Sequence, residues 1–132
     1  MPKLEGKVAI ITGGAGGIGR AAGKLFVEEG AHVILVDLDE SELQDALESI
    51  GDENATYVVA DTTQPDQVQN FVNEAVERYG GVDIFLANAG IEGELNSIAD
   101  TPVEMFDKVM SVNVKGVWLG LKYVMPVMLE RG

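Results

Sequence analysis

The sequence predicts an α/β fold, an open parallel sheet of four strands with flanking helices. Short apolar runs alternate with longer amphipathic stretches four times along the 132 residues, in the order β-α-β-α-β-α-β-α. Each apolar run is continuously aliphatic or β-branched, which is typical of strands that are buried on both faces. A chain of this length has room for a single domain, residues 1–132.

The four apolar runs are the predicted strands. They cover Lys7–Thr12, His32–Asp37, Thr56–Ala60 and Asp83–Ala87. Parallel strands need crossover connections, and the stretches between these runs are long enough to form helices. The sheet is therefore expected to be parallel throughout.

Four helices are predicted from the signals at their ends. Their bounds are residues 18–29, 39–50, 63–79 and 101–128. Glycine follows each of the first three, as it commonly does after a helix. Asp39 with Glu42 forms a capping box for the second helix, and Thr63 with Asp66 forms a weaker one for the third.

The last helix has the clearest predicted start. Thr101 is the expected capping residue, with Pro102 at the first helical position and Glu104 at the third. Pro126 cannot donate a hydrogen bond to the carbonyl group of Lys122, so a bend is expected there.

Composition excludes several classes of function. With 22 acidic and nine basic residues, the net charge is −13, which disfavours binding to nucleic acid or to a membrane surface. The sequence has no cysteine and one histidine, so no metal site is expected. No segment approaches the ~20 apolar residues of a membrane span, and the N-terminal apolar run is too short for a signal peptide. We therefore expect a cytoplasmic protein.

A glycine-rich loop connects the first strand to the first helix at residues 12–19 (TGGAGGIG). Glycines let the backbone turn sharply and approach a pyrophosphate group without Cβ atoms in the way. The helix N-terminus offers free N–H groups and a partial positive charge to the phosphates. The second strand ends in Asp37, roughly 20 residues on, where a carboxylate can accept both hydroxyls of an adenosine ribose. These features predict a Rossmann-type fold that binds an adenine dinucleotide.

The glycine-rich loop has two other interpretations. In a phosphate-loop NTPase, lysine and then serine or threonine follow the last glycine; here Arg20 and Ala21 stand there, and this class is rejected. The second interpretation is structural, with the glycines forming only a tight turn and Asp37 ending a strand in solvent.

The spacing Thr12-Gly13-x-x-x-Gly17-Ile18-Gly19 resembles the cofactor motif of the short-chain dehydrogenase/reductase family. The resemblance covers essentially the whole chain and implies the strand order 3-2-1-4. It also implies that the cofactor is bound by Gly13, Gly17, Ile18, Gly19 and Asp37.

Three further matches follow later in the chain. Asp61 matches the acid that holds the adenine ring in that family. Asn88-Ala89-Gly90 resembles the tail of its Asn-Asn-Ala-Gly motif, with Ala87 in place of the first asparagine. Asn113 matches the asparagine of its catalytic tetrad. Each residue also has a structural interpretation: Asp61 as a turn cap, Asn88 as a support of its loop, and Asn113 as a polar helix residue facing water.

The expected cofactor is NAD(H) rather than NADP(H). An acid at the position of Asp37 bonds a free 2′-hydroxyl group and repels a 2′-phosphate. The places where NADP-preferring relatives often carry a basic residue are Gly16 and Leu38 in this chain. Arg20 is the one cation nearby, and it is expected on the exposed side of the first helix.

The family transfers hydride between a nicotinamide and an alcohol or carbonyl carbon, using a serine, a tyrosine and a lysine four residues after that tyrosine. A phenol with a pKa near 10 needs a neighbouring cation to act near neutrality. Four residues after the three tyrosines come Asp61, Asp83 and Val127, so the pair is absent.

The resemblance therefore implies an N-terminal half, truncated before the remaining strands and inactive alone. The alternatives are half of a split enzyme that a C-terminal chain completes, and an assembly module without cofactor.

Self-association is also expected. Strand 83–87 would be an unpaired, apolar edge, which invites pairing with another chain. The last helix carries an apolar stripe of Met110, Val114, Val117, Leu121 and Met125. Phe106 and Trp118 lie elsewhere on its circumference, so one buried face does not account for all of them. In the other interpretation, Trp118 packs within the monomer.

Overall fold

A four-stranded parallel sheet lies at the centre of the structure, a computed structural model that describes residues 2–132. The strands are β1 (Val8–Thr12), β2 (His32–Asp37), β3 (Ala55–Val59) and β4 (Ile84–Leu86). Their order is β3-β2-β1-β4, and every neighbouring pair is parallel. The predicted fold class and strand order are confirmed, although β4 is shorter than predicted and β3 begins and ends one residue earlier.

Both faces of the central strands β1 and β2 are buried, as their continuous apolar runs indicated, whereas β3 and β4 at the sheet edges are partly exposed. Ile10 and Ile34 face one apolar core, while their chain neighbours Ile11 and Leu35 face the other. This division follows from the alternation of side chains along a strand. All five residues of β1 are buried, which makes it the central strand on which the site is built.

Helices cover each face. They are α1 (Gly17–Glu28), α2 (Glu40–Ile50), α3 (Pro65–Tyr79), α4 (Val103–Met110) and α5 (Gly116–Arg131). A π-helical segment, Ser111–Lys115, joins α4 to α5, and a short 3₁₀ turn covers Ile98–Asp100. Val27 and Leu43 place α1 and α2 on one core, whereas Phe71 and Leu119 place α3 and α5 on the other.

The predicted cap of α2 is confirmed. The Asp39 carboxylate accepts a hydrogen bond from the backbone N–H of Glu42 at 3.1 Å and one from the hydroxyl of Ser41 at 2.7 Å. The bond from the Ser41 hydroxyl, followed by that from the Glu42 amide, lowers the pKa of Asp39 because both stabilise the charged form.

The predicted caps of the third and last helices are wrong. Gln64, not Thr63, is the residue before α3. At α4 the preceding residue is Pro102, and the hydroxyl of Thr101 donates to the carbonyl of Ser97 instead of capping the helix. In both cases the hydroxyl group donates to an acceptor in a local turn instead of accepting an N–H group of the helix that follows.

The long C-terminal helix, predicted as one element over residues 101–128, is divided by an irregular segment that the sequence did not predict. The helix continues through Pro126 and ends at Arg131, while the irregular segment lies at Ser111–Lys115. Pro126 and Lys122 are both exposed, so water can hydrate the carbonyl group that lacks a helical partner. Within residues 2–132, no helix has the length and apolar character needed to cross a bilayer.

Candidate cofactor-binding site

A cleft of about 380 Å³ opens at the carboxyl ends of the strands. It is bordered by the loop after β1 and by the ends of β2, β3 and β4, because parallel strands bring their carboxyl ends to one edge of the sheet. Of the predicted site residues, those that line it are Gly13, Gly17, Ile18, Asp37, Asp61, Asn88, Ala89 and Gly90. Gly19 and Asn113 lie outside this lining. Gly19 packs against the backbone of Gly13, and Asn113 binds the backbone of Ile91.

The glycines of the loop are required for different steric reasons. Gly13 has a φ of +64°, a conformation that side chains disfavour. A Cβ on Gly19 would overlap the carbonyl oxygen of Gly13 and lie 2.8 Å from Cα of Gly14. A Cβ on Gly17 would have no atom within 4 Å in the described chain and would project into open space. Gly13 and Gly19 therefore shape the loop, while Gly17 keeps the cleft free.

The N-terminus of α1 is open towards the cleft. Within residues 2–132, no side chain caps this end and its first turn contains no acidic residue. The first backbone N–H groups of a helix have no partner inside the helix, and the helix dipole makes this end partly positive. Gly17 and Ile18 carry such groups and line the cleft, so the end is suited to an anion.

Asp37 is held by the backbone on both of its oxygens. Oδ2 accepts the N–H of Ala15 at 3.1 Å, and Oδ1 accepts the N–H of Leu38 at 2.9 Å. A carboxylate has about four acceptor positions, so Asp37 can accept further donors while its orientation is set. Sequence reasoning identified Asp37 but missed Ala15, since nothing in the sequence marks which loop amide reaches it.

Arg20 does not lie on the exposed side of α1, so that prediction is wrong. Its side chain is 30% exposed and turns back onto the glycine-rich loop. Nε and Nη2 donate to the carbonyl of Ala15 at 3.1 and 2.9 Å, and Nη1 pairs with Oδ2 of Asp45 at 3.0 Å. The guanidinium fork fits this carbonyl because two of its donors converge on one acceptor.

Asp61 caps a turn, as its structural interpretation expected. Its Oδ1 accepts both the backbone N–H of Thr63 at 2.9 Å and the hydroxyl of Thr63 at 2.7 Å. The residue is half-buried and also lines the cleft. The turn bonds thus hold the carboxylate at the edge of the cleft.

Thr12 joins the two loops of the site and was missed as a site residue. It is 4% exposed, and its Oγ1 accepts the backbone N–H groups of Asn88 and Ala89, each at 3.1 Å. Asn88 in turn donates from Nδ2 to the carbonyl of Gly13 at 3.3 Å. The supporting role expected for Asn88 is therefore present. A polar residue ending a fully apolar strand was the signal that could have identified Thr12.

Asn113 lies in the π-helical segment and binds the loop after Gly90. Its Oδ1 accepts the N–H of Ile91 at 2.8 Å, and its Nδ2 donates to the carbonyl of the same residue at 2.7 Å. Asn113 is exposed, yet its amide is bonded to the backbone instead of simply facing water. The contact links the last helix to the loop that borders the cleft.

The fold and the cleft define a doubly wound α/β protein with a glycine-rich loop at the point where the strand order reverses. The chain belongs to the short-chain dehydrogenase family: a sequence model described as short chain dehydrogenase matches residues 7–132. This confirms the family resemblance.

Individual relatives support the same family assignment. The chain is 41% identical over 130 residues to short-chain dehydrogenase reductase 3a of Arabidopsis thaliana, covering 98% of this chain and 51% of that protein. It is 44% identical over 128 residues to secoisolariciresinol dehydrogenase of Forsythia intermedia, covering 96% and 46%. The chain thus spans about half the length of these relatives.

Solved structures resemble it closely as well. NAD⁺-bound xylitol dehydrogenase superposes with a TM-score of 0.93 at 32% identity, over 98% of this chain and 50% of that one. Levodione reductase superposes with a TM-score of 0.92 at 38% identity, over 98% and 52%.

Proposed function

We propose that this chain binds NAD(H) and forms the N-terminal, cofactor-binding half of an oxidoreductase. The observation that carries the proposal is the pairing, in one cleft, of an open helix N-terminus with the backbone-held carboxylate of Asp37. An adenine dinucleotide has the matching pair of groups, a pyrophosphate and a ribose diol. The family and the NAD⁺-bound neighbour support the same class of cofactor.

Each site residue has a role in this proposal. Gly13, Gly17, Ile18 and Gly19 bring the backbone to the pyrophosphate, and Asp37 accepts the ribose hydroxyls. Asp61 holds the adenine ring. The segment Asn88–Gly90 closes the cleft on the side of β4, where Thr12 already anchors it.

The preference for NAD over NADP follows from charge. Two unit charges at about 4 Å repel by roughly 4 kcal/mol at an effective dielectric constant of 20, so a 2′-phosphate beside Asp37 is disfavoured. Gly16 and Leu38 offer no cation to offset this repulsion. Arg20 is already engaged with Ala15 and Asp45.

The nicotinamide, when bound, supplies hydride transfer to or from an alcohol or carbonyl carbon. The residues of this chain bind and orient the adenosine half, and Asn113 positions the loop at Ile91. The sequence contains no tyrosine with a lysine four residues later. We therefore propose that the chain alone is inactive. The cytoplasmic location expected from the sequence stays a prediction.

Calorimetric titration with NADH tests the proposal. Saturable binding is expected, weakened at least tenfold by Asp37→Ala, since a hydrogen bond to a charged group contributes about 1.5–3 kcal/mol. Asp52→Ala, which removes the same charge from an exposed position, is the matched control and leaves the Kd unchanged. No binding at millimolar NADH contradicts the proposal and favours the assembly module instead.

We also propose that two copies of the chain associate through an apolar helix face. This face consists of Met110, Val114, Trp118, Leu121 and Met125, all of them exposed. Trp118 shares shallow surface grooves with its neighbours on both sides of the face, so its expected place elsewhere on the circumference is wrong. Contiguous apolar surface of this kind marks an interaction site. The edge strand β4 offers a second, adjoining surface with unpaired backbone groups.

Charge placement favours a second copy in antiparallel orientation. Glu104, Asp107 and Lys108 lie towards the N-terminal end of the apolar helix face and together carry one net negative charge. Lys122, by contrast, lies towards its C-terminal end and Lys115 near its middle. Two antiparallel copies therefore bring opposite charges together.

Light scattering tests this association. A dimeric mass is expected at high protein concentration. Trp118→Glu should give a monomer, whereas the exposed control Leu25→Glu on α1 should leave the dimer intact. A monomeric mass for the unmodified chain contradicts the proposal.

A further inference from the structure

Ala15 in the glycine-rich loop is held from both sides. Its N–H group donates to Oδ2 of Asp37 at 3.1 Å. Its carbonyl oxygen accepts two hydrogen bonds from the guanidinium group of Arg20, at 3.1 and 2.9 Å. Ala15 is only 6% exposed. A continuous set of contacts therefore joins Arg20 to the carboxylate at the end of β2.

Arg20 occupies an unusual position for a cation. It is the fourth residue of α1, close to the helix end that the dipole already makes positive. Asp45 on α2 offsets this charge through its 3.0 Å contact with Nη1, although Asp45 itself is 71% exposed. Exposed ion pairs contribute little to stability, so stability alone does not explain why the pair is placed against the loop.

We propose that Arg20 and Asp45 are positioning residues that set the preference for a 2′-hydroxyl over a 2′-phosphate at Asp37. The proposal rests on the proposed NAD(H) site. Arg20 fixes the carbonyl of Ala15, and the N–H of the same residue orients the Asp37 carboxylate. Asp45 holds the remaining edge of the guanidinium group on α2 and neutralises its charge.

The two residues have separable effects. Without Asp45, Nη1 is released and the positive charge of Arg20 is no longer offset, so a 2′-phosphate beside Asp37 is attracted more strongly. Without Arg20, the carbonyl of Ala15 loses two donors and the N–H that orients Asp37 is less constrained. Loss of Asp45 therefore improves NADPH binding, whereas loss of Arg20 weakens NADH binding.

Calorimetry with NADH and NADPH tests the proposal on the unmodified chain and four variants. Asp45→Asn should lower the Kd for NADPH about fivefold and leave the Kd for NADH within about twofold. Glu48→Gln, an exposed acid on the same helix, removes the same charge without touching Arg20 and should change neither. Arg20→Gln should raise the Kd for NADH about tenfold. Arg20→Lys keeps the charge without the fork and should not restore binding.

The ratio of the two Kd values is the decisive readout, since a purely structural role would change both alike. The proposal is overturned if Asp45→Asn and Glu48→Gln have the same ratio of the Kd for NADPH to the Kd for NADH. It is also overturned if Arg20→Gln binds NADH as tightly as the unmodified chain does. If Arg20→Gln fails to fold, the ratio of the two Kd values for Asp45→Asn still tests the proposal. If the unmodified chain binds neither cofactor, the proposed function fails first and this inference fails with it.

Discussion

Two alanine substitutions, two residues apart in the glycine-rich loop, should have opposite effects on stability. In Gly19→Ala, the new Cβ overlaps the carbonyl oxygen of Gly13 and lies 2.8 Å from Cα of Gly14. These are backbone atoms that cannot rotate away. Overpacking of this kind costs about 1–3 kcal/mol, and the better helix propensity of alanine returns at most about 1 kcal/mol.

At the middle of these ranges, about 2 kcal/mol of overpacking less about 0.5–1 kcal/mol of helix propensity, the net loss for Gly19→Ala is about 1–1.5 kcal/mol, or a fall in Tm of roughly 3–6 °C for a domain of this size. Gly17→Ala meets no atom within 4 Å in the described chain, so it should keep its Tm or raise it slightly. Its methyl group instead stands where the pyrophosphate is proposed to lie, and we expect NADH binding to be lost.

Thermal unfolding followed by circular dichroism, together with NADH titration of both variants, checks this reasoning. Equal Tm values for the two variants would refute the steric argument. NADH binding by Gly17→Ala with unchanged affinity would refute the assignment of the open position at Gly17 to the cofactor.

Three further predictions concern the elements that hold the site. Gly120→Ala should lower the free energy of unfolding by about 1–3 kcal/mol, because its Cβ would lie 2.5 Å from the ring of Phe85; an unchanged denaturation midpoint would contradict this. Asn113→Ala removes both bonds to Ile91, so amide exchange at Ile91 should accelerate while that of the β1 core does not. Hydrogen bonds from Ser41 and Glu42 lower the pKa of Asp39 below its ordinary value of 3.8. The charged carboxylate therefore stabilises the folded state fully above about pH 3.8, and this stabilisation is lost as the pH falls through the lowered pKa. Asp39→Asn should therefore flatten this part of the acid-unfolding curve, and an unchanged curve would contradict the assignment.

Much of the fold could be predicted because its signals are local. Continuous apolar runs identified the strands, and glycines marked the ends of the first three helices. Asp39 with Glu42 gave the start of α2 correctly. The cap at Thr101 was wrong because the helix begins at Val103, with Pro102 before it, and the Thr101 hydroxyl belongs to the preceding turn, where it donates to the carbonyl of Ser97.

The residues of the site also differ in whether their signals are local. The places of Gly17 and Asp37 at the cleft could be predicted because a turn without Cβ atoms and an acid after a buried strand are visible in the sequence. The bond from Arg20 to Asp45 was missed, since it joins residues on two helices whose relative placement depends on packing against β2.

By itself, the sequence determined the parallel α/β class, the place of the glycine-rich loop and the acid beside it, because periodicity, backbone freedom and charge belong to short segments. Tertiary structure alone decided that Thr12 binds the loop after β4, that Asn113 binds Ile91 and that Arg20 turns onto Ala15. These partners lie between 5 and 77 residues apart. They meet only when strand register and helix packing bring a donor within about 3 Å of its acceptor.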